Sequence, residues 1–314
     1  MLHEPVMTRE VLEFLQPHKG GVFVDCTVGL GGHSLALLEA GATRVIGLDR
    51  DPAALRIAAE TLSRYRDRVE LVHSDYRALA SVLDSRGIDR VDGTLTDMGM
   101  SSYQLQADGR GFSFQRDDPL DMRMDTTSGP TAADLLRGAE EGEIADAIYT
   151  FGEERFSRRI ARAIVHARDS SPLETTAQLA AIVRRAVPRR GFSRIDPATR
   201  TFQAVRIWVN RELDDIDEFL KSAARHLRAG ARLVVITFHS LEDRIVKHTL
   251  RALAPRDGGL LRILTKKPVA PLPDEVERNP RARSAKLRAA ECVGDVKRFQ
   301  FSQRHVEDAD GDVG

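Results

Sequence analysis

Short apolar runs alternate with amphipathic stretches over the first hundred positions. GVFVDCT (21–27), RVIGLD (44–49), VELVHSD (69–75) and VDGTLTD (91–97) are rich in valine and leucine and end in polar or glycine-containing positions, which predicts strands. Between them HSLALLEAG (33–41) predicts a helix closed by Gly41. PAALRIAAETLSRY (52–65) predicts a helix with Pro52 in its first turn, and a third helix covers 77–86. Strands separated by helices imply parallel βαβ units, and right-handed crossovers arrange these into an open, doubly wound α/β sheet.

The alternation stops after Asp97. Residues 98–130 are polar, contain glycine and show little periodicity. From 131 to 227 every clear element is helical: TAADLLRG, EEGEIADAIYTFG, EERFSRRIARAIVHAR, TTAQLAAIVRRAV and ATRTFQAVRIWVNRELDDIDEFLKSAARHL. ARLVVITFHS (231–240) then returns to a buried strand. A helix over 241–253 and strand candidates LRILTKKPV (261–269) and AKLRAAECV (285–293) follow. One sheet domain, 1–104 with 228–302, interrupted by a loop and helical domain over 105–227, accounts for this order. The acidic segment 303–314 is expected to be a disordered tail.

Composition narrows the class. The 314 residues are 42% hydrophobic and 30% charged, enough apolar material for a real core. No apolar run approaches the ~20 residues of a membrane span. The first residues, MLHEPVMTRE, lack the basic and apolar regions of a signal peptide, so a cytoplasmic protein is expected. Cys26 and Cys292 are the only cysteines, which excludes a disulfide framework and a Cys-rich zinc site. Lys plus Arg equals Asp plus Glu at 47 each, yet the charges are uneven. Arg184, Arg185, Arg189, Arg190, Arg194, Arg200, Arg206 and Arg211 face one nearby acid, Asp196, and Arg278, Arg281, Arg283, Lys286 and Arg288 face none. Basic patches on a neutral protein fit a polyanion contacted on one face; solvated helix faces are the alternative.

Candidate chemistry collects at the strand ends. Asp25-Cys26-Thr27-Val28-Gly29-Leu30-Gly31-Gly32-His33-Ser34 joins the first strand to the first helix, where glycines permit a tight turn and close approach of a ligand. Asp49 ends the second strand, 18 residues beyond Gly31, at a spacing where an acid binds ribose hydroxyls. Asp75-Tyr76 and Asp97 end the third and fourth strands. The third glycine of a dinucleotide fingerprint is replaced by Ser34, and no G-K-[ST] tripeptide marks a P-loop. Strand-end acids suit a cationic ligand without phosphates, and S-adenosylmethionine, with its ammonium, sulfonium and ribose, is one. His33 has no second His, Cys or acid at ligand spacing, so no metal site is read.

Longer motifs extend the pattern: HEPVM near the start, T-x-G-x-GGHS at 27–34, DRDP at 49–52, SS-x-QL and RGFSF within 101–114, PLDMRMD at 119–125 and YTFGEERFSRRIARAI at 149–164. PATRTFQAVRIWVN at 197–210, FHSLEDRIVK at 238–247 and NPRARSAKLR at 279–288 complete the set. From about His3 to Arg288 the chain resembles the bacterial 16S rRNA (cytosine-N4)-methyltransferase family, RsmH or MraW. The resemblance implies a Rossmann-like methyltransferase sheet, S-adenosylmethionine as donor, and a cytidine of 16S rRNA at the decoding centre of the small ribosomal subunit as acceptor. It implies that the inserted helical domain helps form the RNA groove. It carries donor binding onto Gly31, Gly32, His33, Asp49, Tyr76, Asp97 and Gln104; Tyr76 stands where many members have Phe and keeps an aromatic face for adenine.

Methyl transfer to an amine is an in-line displacement governed by positioning. Asp97, followed by Met98-Gly99-Met100, is the catalytic candidate, orienting either donor or amine, with the donor role favoured. His239 and Ser240, at the end of the strand 231–240, contact the target base or cap the next helix. Arg123, Asn210, Arg281 and Arg283 are the further substrate-binding candidates, with an internal salt-bridge network as the alternative for Asp121, Arg123 and Asp125. Phe202 and Trp208 read as core, whereas Phe112 and Phe114 read as substrate contacts. A stacked cytosine must be splayed out or flipped to be reached. A homo-oligomer stays open, as do an RNA-binding assembly factor without catalysis, a nicotinamide-dependent oxidoreductase and a DNA amino-methyltransferase.

Overall fold

The computed structural model describes residues 5–188, 196–255 and 258–294. The segment 303–314, together with Arg189, Arg190 and Arg194, lies outside the described residues. The chain divides into two compact units, Met1–Gly99 with Asp215–Gly314, and Met100–Asp214.

The first unit is built on a seven-stranded sheet of β1 (Val22–Asp25), β2 (Arg44–Asp49), β3 (Val69–His73), β4 (Val91–Asp97), β5 (Leu227–Thr237), β6 (Leu261–Ile263) and β7 (Lys286–Cys292), in the order β3-β2-β1-β4-β5-β7-β6. β1 to β5 pair in parallel and β7 runs antiparallel between β5 and β6. The order reverses between β1 and β4, the switch point where doubly wound sheets open a ligand crevice at the carboxyl ends of their strands. Phe23, Val24, Val45, Ile46, Leu48, Leu95 and Leu233 to Ile236 are almost fully buried, as continuous apolar strands between two helical layers should be.

Helix Ile216–Arg225 lies in this unit, whereas the sequence reading placed 215–227 in the insertion. Its apolar stripe of Ile216, Phe219, Leu220, Ala223 and Ala224 is buried, and it packs against β5 and helix Ser240–Ala252. The physical reason is topological: β4 and β5 are parallel, so a covering helix must join them, and this is that helix. The insertion therefore ends at Asp214 and begins at Met100, before rather than after Gln104. β6 is also shorter than expected. The chain turns at Lys266-Lys267-Pro268, and beyond it only Val269 bridges to Leu287.

The second unit is a helical cluster of Ala132–Gly138, Glu141–Gly152, Ser157–Ser170, Thr176–Ala186 and Ala198–Asn210. Ile144, Ile148, Ile160, Ile164, Leu179, Val183, Phe202 and Val205 form its centre. A short helix, Ser102–Gln106, precedes it and opens on a capping box in which the Ser101 hydroxyl accepts from the Gln104 amide while the Gln104 side chain accepts from the Ser101 amide. Phe112 belongs to the core and does not stand free as a substrate contact: with Leu120, Met122 and Met124 it is buried against the helices. Phe114 meets Phe202 edge-on at 4.9 Å between ring centroids. The aperiodic stretch is thus a wrapping of the helical core, its apolar side chains spaced by turns instead of by a helical period. Among the described residues no helix is long and apolar enough to cross a membrane.

Candidate active site

The loop after β1 is tied to its neighbours through backbone and short side chains. The Cys26 amide donates to Leu95 O at 2.8 Å, the Val28 amide to Leu48 O at 2.8 Å, and the Asp97 amide to the Thr27 hydroxyl at 2.7 Å. The carboxyl ends of β1, β2 and β4 are thereby stitched around one turn. Gly31 sits at φ 89° as N-cap of helix Gly32–Glu39, a backbone state that other residues reach only with strain. Beside it, a Cβ on Gly32 would lie 3.0 Å from the Pro5 ring, so a side chain there would have to press that ring aside.

Asp25 is fully buried at the base of the turn, where the Ser34 hydroxyl donates to its Oδ2 at 2.8 Å. Burial raises its carboxyl above the usual range, against the pull of His33 and Ser34. His33 is itself buried, with Nε2 2.8 Å from Val6 O. Since a carbonyl only accepts, the proton sits on Nε2. Neither Asp25 nor Ser34 was marked as a site residue from the sequence; the acid at the end of β1 and the hydroxyl in the third-glycine position were the available signals.

Asp49 and Asp97 share an unusual state. Asp49 Oδ2 accepts from the Gly29 amide and Oδ1 from the Asp51 amide, both at 2.8 Å. Burial nevertheless pushes the Asp49 carboxyl up to about 6. Burial likewise takes Asp97 up to about 6, partly offset by His33 and by the Gly99 amide 3.3 Å from its Oδ1. Among the described residues neither acid forms an ion pair. Asp75 is the contrast: Arg77 grips it through Nε and Nη2 at 2.8 and 2.9 Å, with Arg50 at 3.4 Å. Burial works to raise Asp75, but these arginines outweigh it and hold the carboxyl below its ordinary range. The structure therefore neutralises one strand-end acid and leaves Asp49 and Asp97 for a cation to neutralise.

Tyr76 stands beside them at the start of a 3-10 turn, its ring 4.7 Å from that of Phe219 and tilted by 59°. Burial and the nearby Asp75 raise its phenol, so the ring acts as a neutral aromatic face. Across the crevice Gly99 follows β4; a Cβ there would come within 2.5 Å of the Phe238 ring at the end of β5. Phe238 escaped the sequence reading because it continues an apolar strand. His239 is the N-cap of helix Ser240–Ala252, its ring accepting from the Glu242 amide, while Glu242 reaches back to the Phe238 amide at 2.9 Å and lies 3.0 Å from His239 Nε2. This is the capping alternative for His239, with Ser240 the first helical residue.

The remaining candidates separate into two kinds. Arg281 and Arg283 are exposed on the 3-10 turn Pro280–Ser284 and make no ion pair among the described residues. Arg123 forks onto Asp121 at 2.8 Å through both Nε and Nη2. Asn210 is buried, donates to Met122 O at 2.7 Å and accepts from the Met124 amide at 2.7 Å. Arg123 and Asn210 thus shape the 121–124 loop. Gln104 is buried in the second unit, in the capping box described above.

The glycine turn, and acids that form no ion pair among the described residues, fit an adenosyl donor bearing an ammonium and a sulfonium. The profile of the MraW methylase family matches residues 1–293. Ribosomal RNA small subunit methyltransferase H of Geotalea uraniireducens is 49% identical over 307 residues, covering 93% of this chain and 98% of the relative. The proteins of that name from Sorangium cellulosum and Bradyrhizobium diazoefficiens are 51% and 50% identical, covering 93% and 92% of this chain and 91% of each relative.

Proposed function

The chain belongs to the MraW methylase family, and from that premise we propose that it transfers a methyl group from S-adenosylmethionine to the exocyclic N4 amine of a cytidine in 16S rRNA, at the decoding centre of the small ribosomal subunit. The observation that carries this reading is the pair of desolvated acids, Asp49 and Asp97, which form no ion pair among the described residues and stand on either side of a glycine turn at the switch point of the sheet.

Donor binding is assigned to the turn Gly31, Gly32 and His33, to Asp49, Tyr76 and Asp97, and by family to Gln104. Bound there, the donor supplies an electrophilic methyl on a sulfonium. Asp49 retains acceptor capacity for ribose hydroxyls because each carboxylate oxygen has a second lone pair beyond the amide it already accepts. Tyr76, backed by Phe219, offers the adenine an aromatic face. Asp97 places its charge at the end of β4, where it holds the cationic part of the donor. Phe238 packs over Gly99 and narrows the crevice behind Asp97. The N4 nitrogen attacks the methyl carbon as the carbon–sulfur bond breaks, and the amine proton leaves to solvent. Arg281 and Arg283 contact RNA phosphate, whereas Arg123 and Asn210 act by holding a loop in shape.

The test is incubation with labelled S-adenosylmethionine and small ribosomal subunits lacking cytidine methylation, followed by mass spectrometry of the nucleosides. Label in N4-methylcytidine is the expected result. Donor binding without label in any cytidine of assembled subunits or free rRNA would overturn the acceptor assignment, and absence of donor binding would overturn the enzyme reading.

A further inference from the structure

One cavity of the second unit belongs to no element of the donor site. It measures about 610 Å³ and is lined by Asp146, Tyr149, Arg155, Phe156, Ser157, Arg158 and Arg159. That volume lies within the ~300–1,000 Å³ of small-ligand sites. The cavity lies where helix Glu141–Gly152 ends and helix Ser157–Ser170 begins.

Its charge is the first observation. Among the described residues most arginines of this unit are matched with an acid: Arg116 with Asp108, Arg123 with Asp121, Arg137 with Asp134, Arg162 with Glu141, Arg184 with Asp196, Arg200 with Glu154, Arg206 with Glu212 and Arg211 with Asp214. Arg155, Arg158 and Arg159 are exposed, form no ion pair among the described residues, and share the cavity with one acid, Asp146. Three guanidiniums gathered around a single acid leave a net positive charge and raise the local affinity for anions. The Arg155 guanidinium also lies over the Phe156 ring, 4.6 Å from its centroid.

An aromatic is the second observation. Tyr149 is 64% exposed, the most exposed large apolar-bodied residue described, and it lines the same cavity. A ring left open to water beside free guanidiniums suits a ligand with a flat face and an anionic group one bond chain away. A nucleotide within a single strand is such a ligand: phosphate for the arginines, base for the ring.

We propose that Arg155, Arg158, Arg159 and Tyr149 form an anchoring site for one unpaired nucleotide of the RNA substrate, gripping its backbone phosphate and stacking its base. The proposal rests on the rRNA substrate assigned above. The site raises affinity without taking part in methyl transfer, so its residues govern KM and not kcat.

The test uses the full chain with the Arg155→Ala, Arg158→Ala and Arg159→Ala triple variant, the charge-reversing pair Arg158→Glu and Arg159→Glu, and Tyr149→Ala. The measured quantities are binding to unmethylated small-subunit rRNA and to assembled subunits across a salt series, S-adenosylmethionine affinity, and steady-state kinetics. Loss of this one phosphate contact lowers the slope of log K against log salt by about 0.7–1, and raises Kd and KM by about 10-fold at physiological salt. Tyr149→Ala weakens binding by about 5-fold or more with the salt slope unchanged. Donor affinity and kcat at saturating RNA stay at the wild-type value in every variant. Wild-type salt slope and KM in both arginine variants, with methyl transfer intact, would overturn the anchoring site while the proposed function stands. Weakened binding to assembled subunits with unchanged binding to naked rRNA would also overturn it, in favour of a protein surface. A wild-type chain that binds neither RNA would instead remove the functional reading on which the site rests.

Discussion

Replacing Asp97 by Asn should stabilise the ligand-free protein while weakening its hold on the donor. The carboxyl lies at about 6 when folded against an ordinary value of 3.8. Between those values the native state holds more protons than the unfolded chain, so stability falls as pH rises from about 4 to about 6 and remains low above that window. At ~1.36 kcal/mol per pH unit the full difference is about 3 kcal/mol. Water still reaches the rim of this carboxylate, so about 1–2 kcal/mol is the working figure. Asn keeps an oxygen for the Gly99 amide and removes the charge, leaving the Asp97 amide on Thr27 untouched. For a chain of this size the gain corresponds to about 2–8 °C in Tm at pH 7.5, shrinking to nothing near pH 4. Donor affinity, read by calorimetry at pH 7.5, should fall by about 10–100-fold, the scale of one lost charge contact. A variant that melts at or below wild-type temperature at pH 7.5, or a Tm difference independent of pH, would refute the claim that Asp97 is an unneutralised acid awaiting a cation. Loss of transfer with donor affinity unchanged would move Asp97 from the donor to the target amine.

Three further outcomes are expected. Tyr76→Phe should leave donor Kd within about twofold, while Tyr76→Ala weakens it about 5–50-fold, since the ring face and not the phenol is used; equilibrium dialysis with labelled donor separates the two. Gly99→Ala forces a methyl against the Phe238 ring and should cost about 1–3 kcal/mol in urea unfolding, with transfer reduced more than donor binding. Asn210→Ala removes the hydrogen bonds to the Met122 carbonyl and from the Met124 amide and should cost about 2–4 kcal/mol, seen as a lower unfolding midpoint with donor affinity unchanged.

The parallel strands and the glycine turn were legible because their signals are local: a continuous apolar run, an acid at its end, glycine after it. Helix Ile216–Arg225 was recognised as a helix but given to the wrong unit, since periodicity reports that a face is buried and not against what. Phe112, Met122 and Met124 were missed as core because a wrapping loop has no period to reveal which residues point inward. At the site, Asp49 and Asp97 stood out by position. That Asp75 differs from them could not be read, because the difference lies in Arg77 folding back two residues and Arg50 arriving from the neighbouring strand. Asn210 shows the same limit in reverse: a polar residue in an arginine-rich motif invites a substrate role, and its three short hydrogen bonds hold the protein's own backbone.

The insertion between β4 and β5 also sets the order in which the sheet can be made. β4 and β5 are direct neighbours, yet Asp97 and Leu227 are 130 positions apart. A ribosome adding ~5–20 residues per second needs roughly 6–26 s to cover that gap. During this interval β3, β2, β1 and β4 have already been synthesised, with the β4 side of the sheet lacking its partner. A fast-folding helical unit shortens the wait in the only way open to it, by turning a long flexible tether into a compact body before β5 emerges. The helices assigned to recognise RNA in the finished protein would then serve earlier as a brace for a half-made sheet.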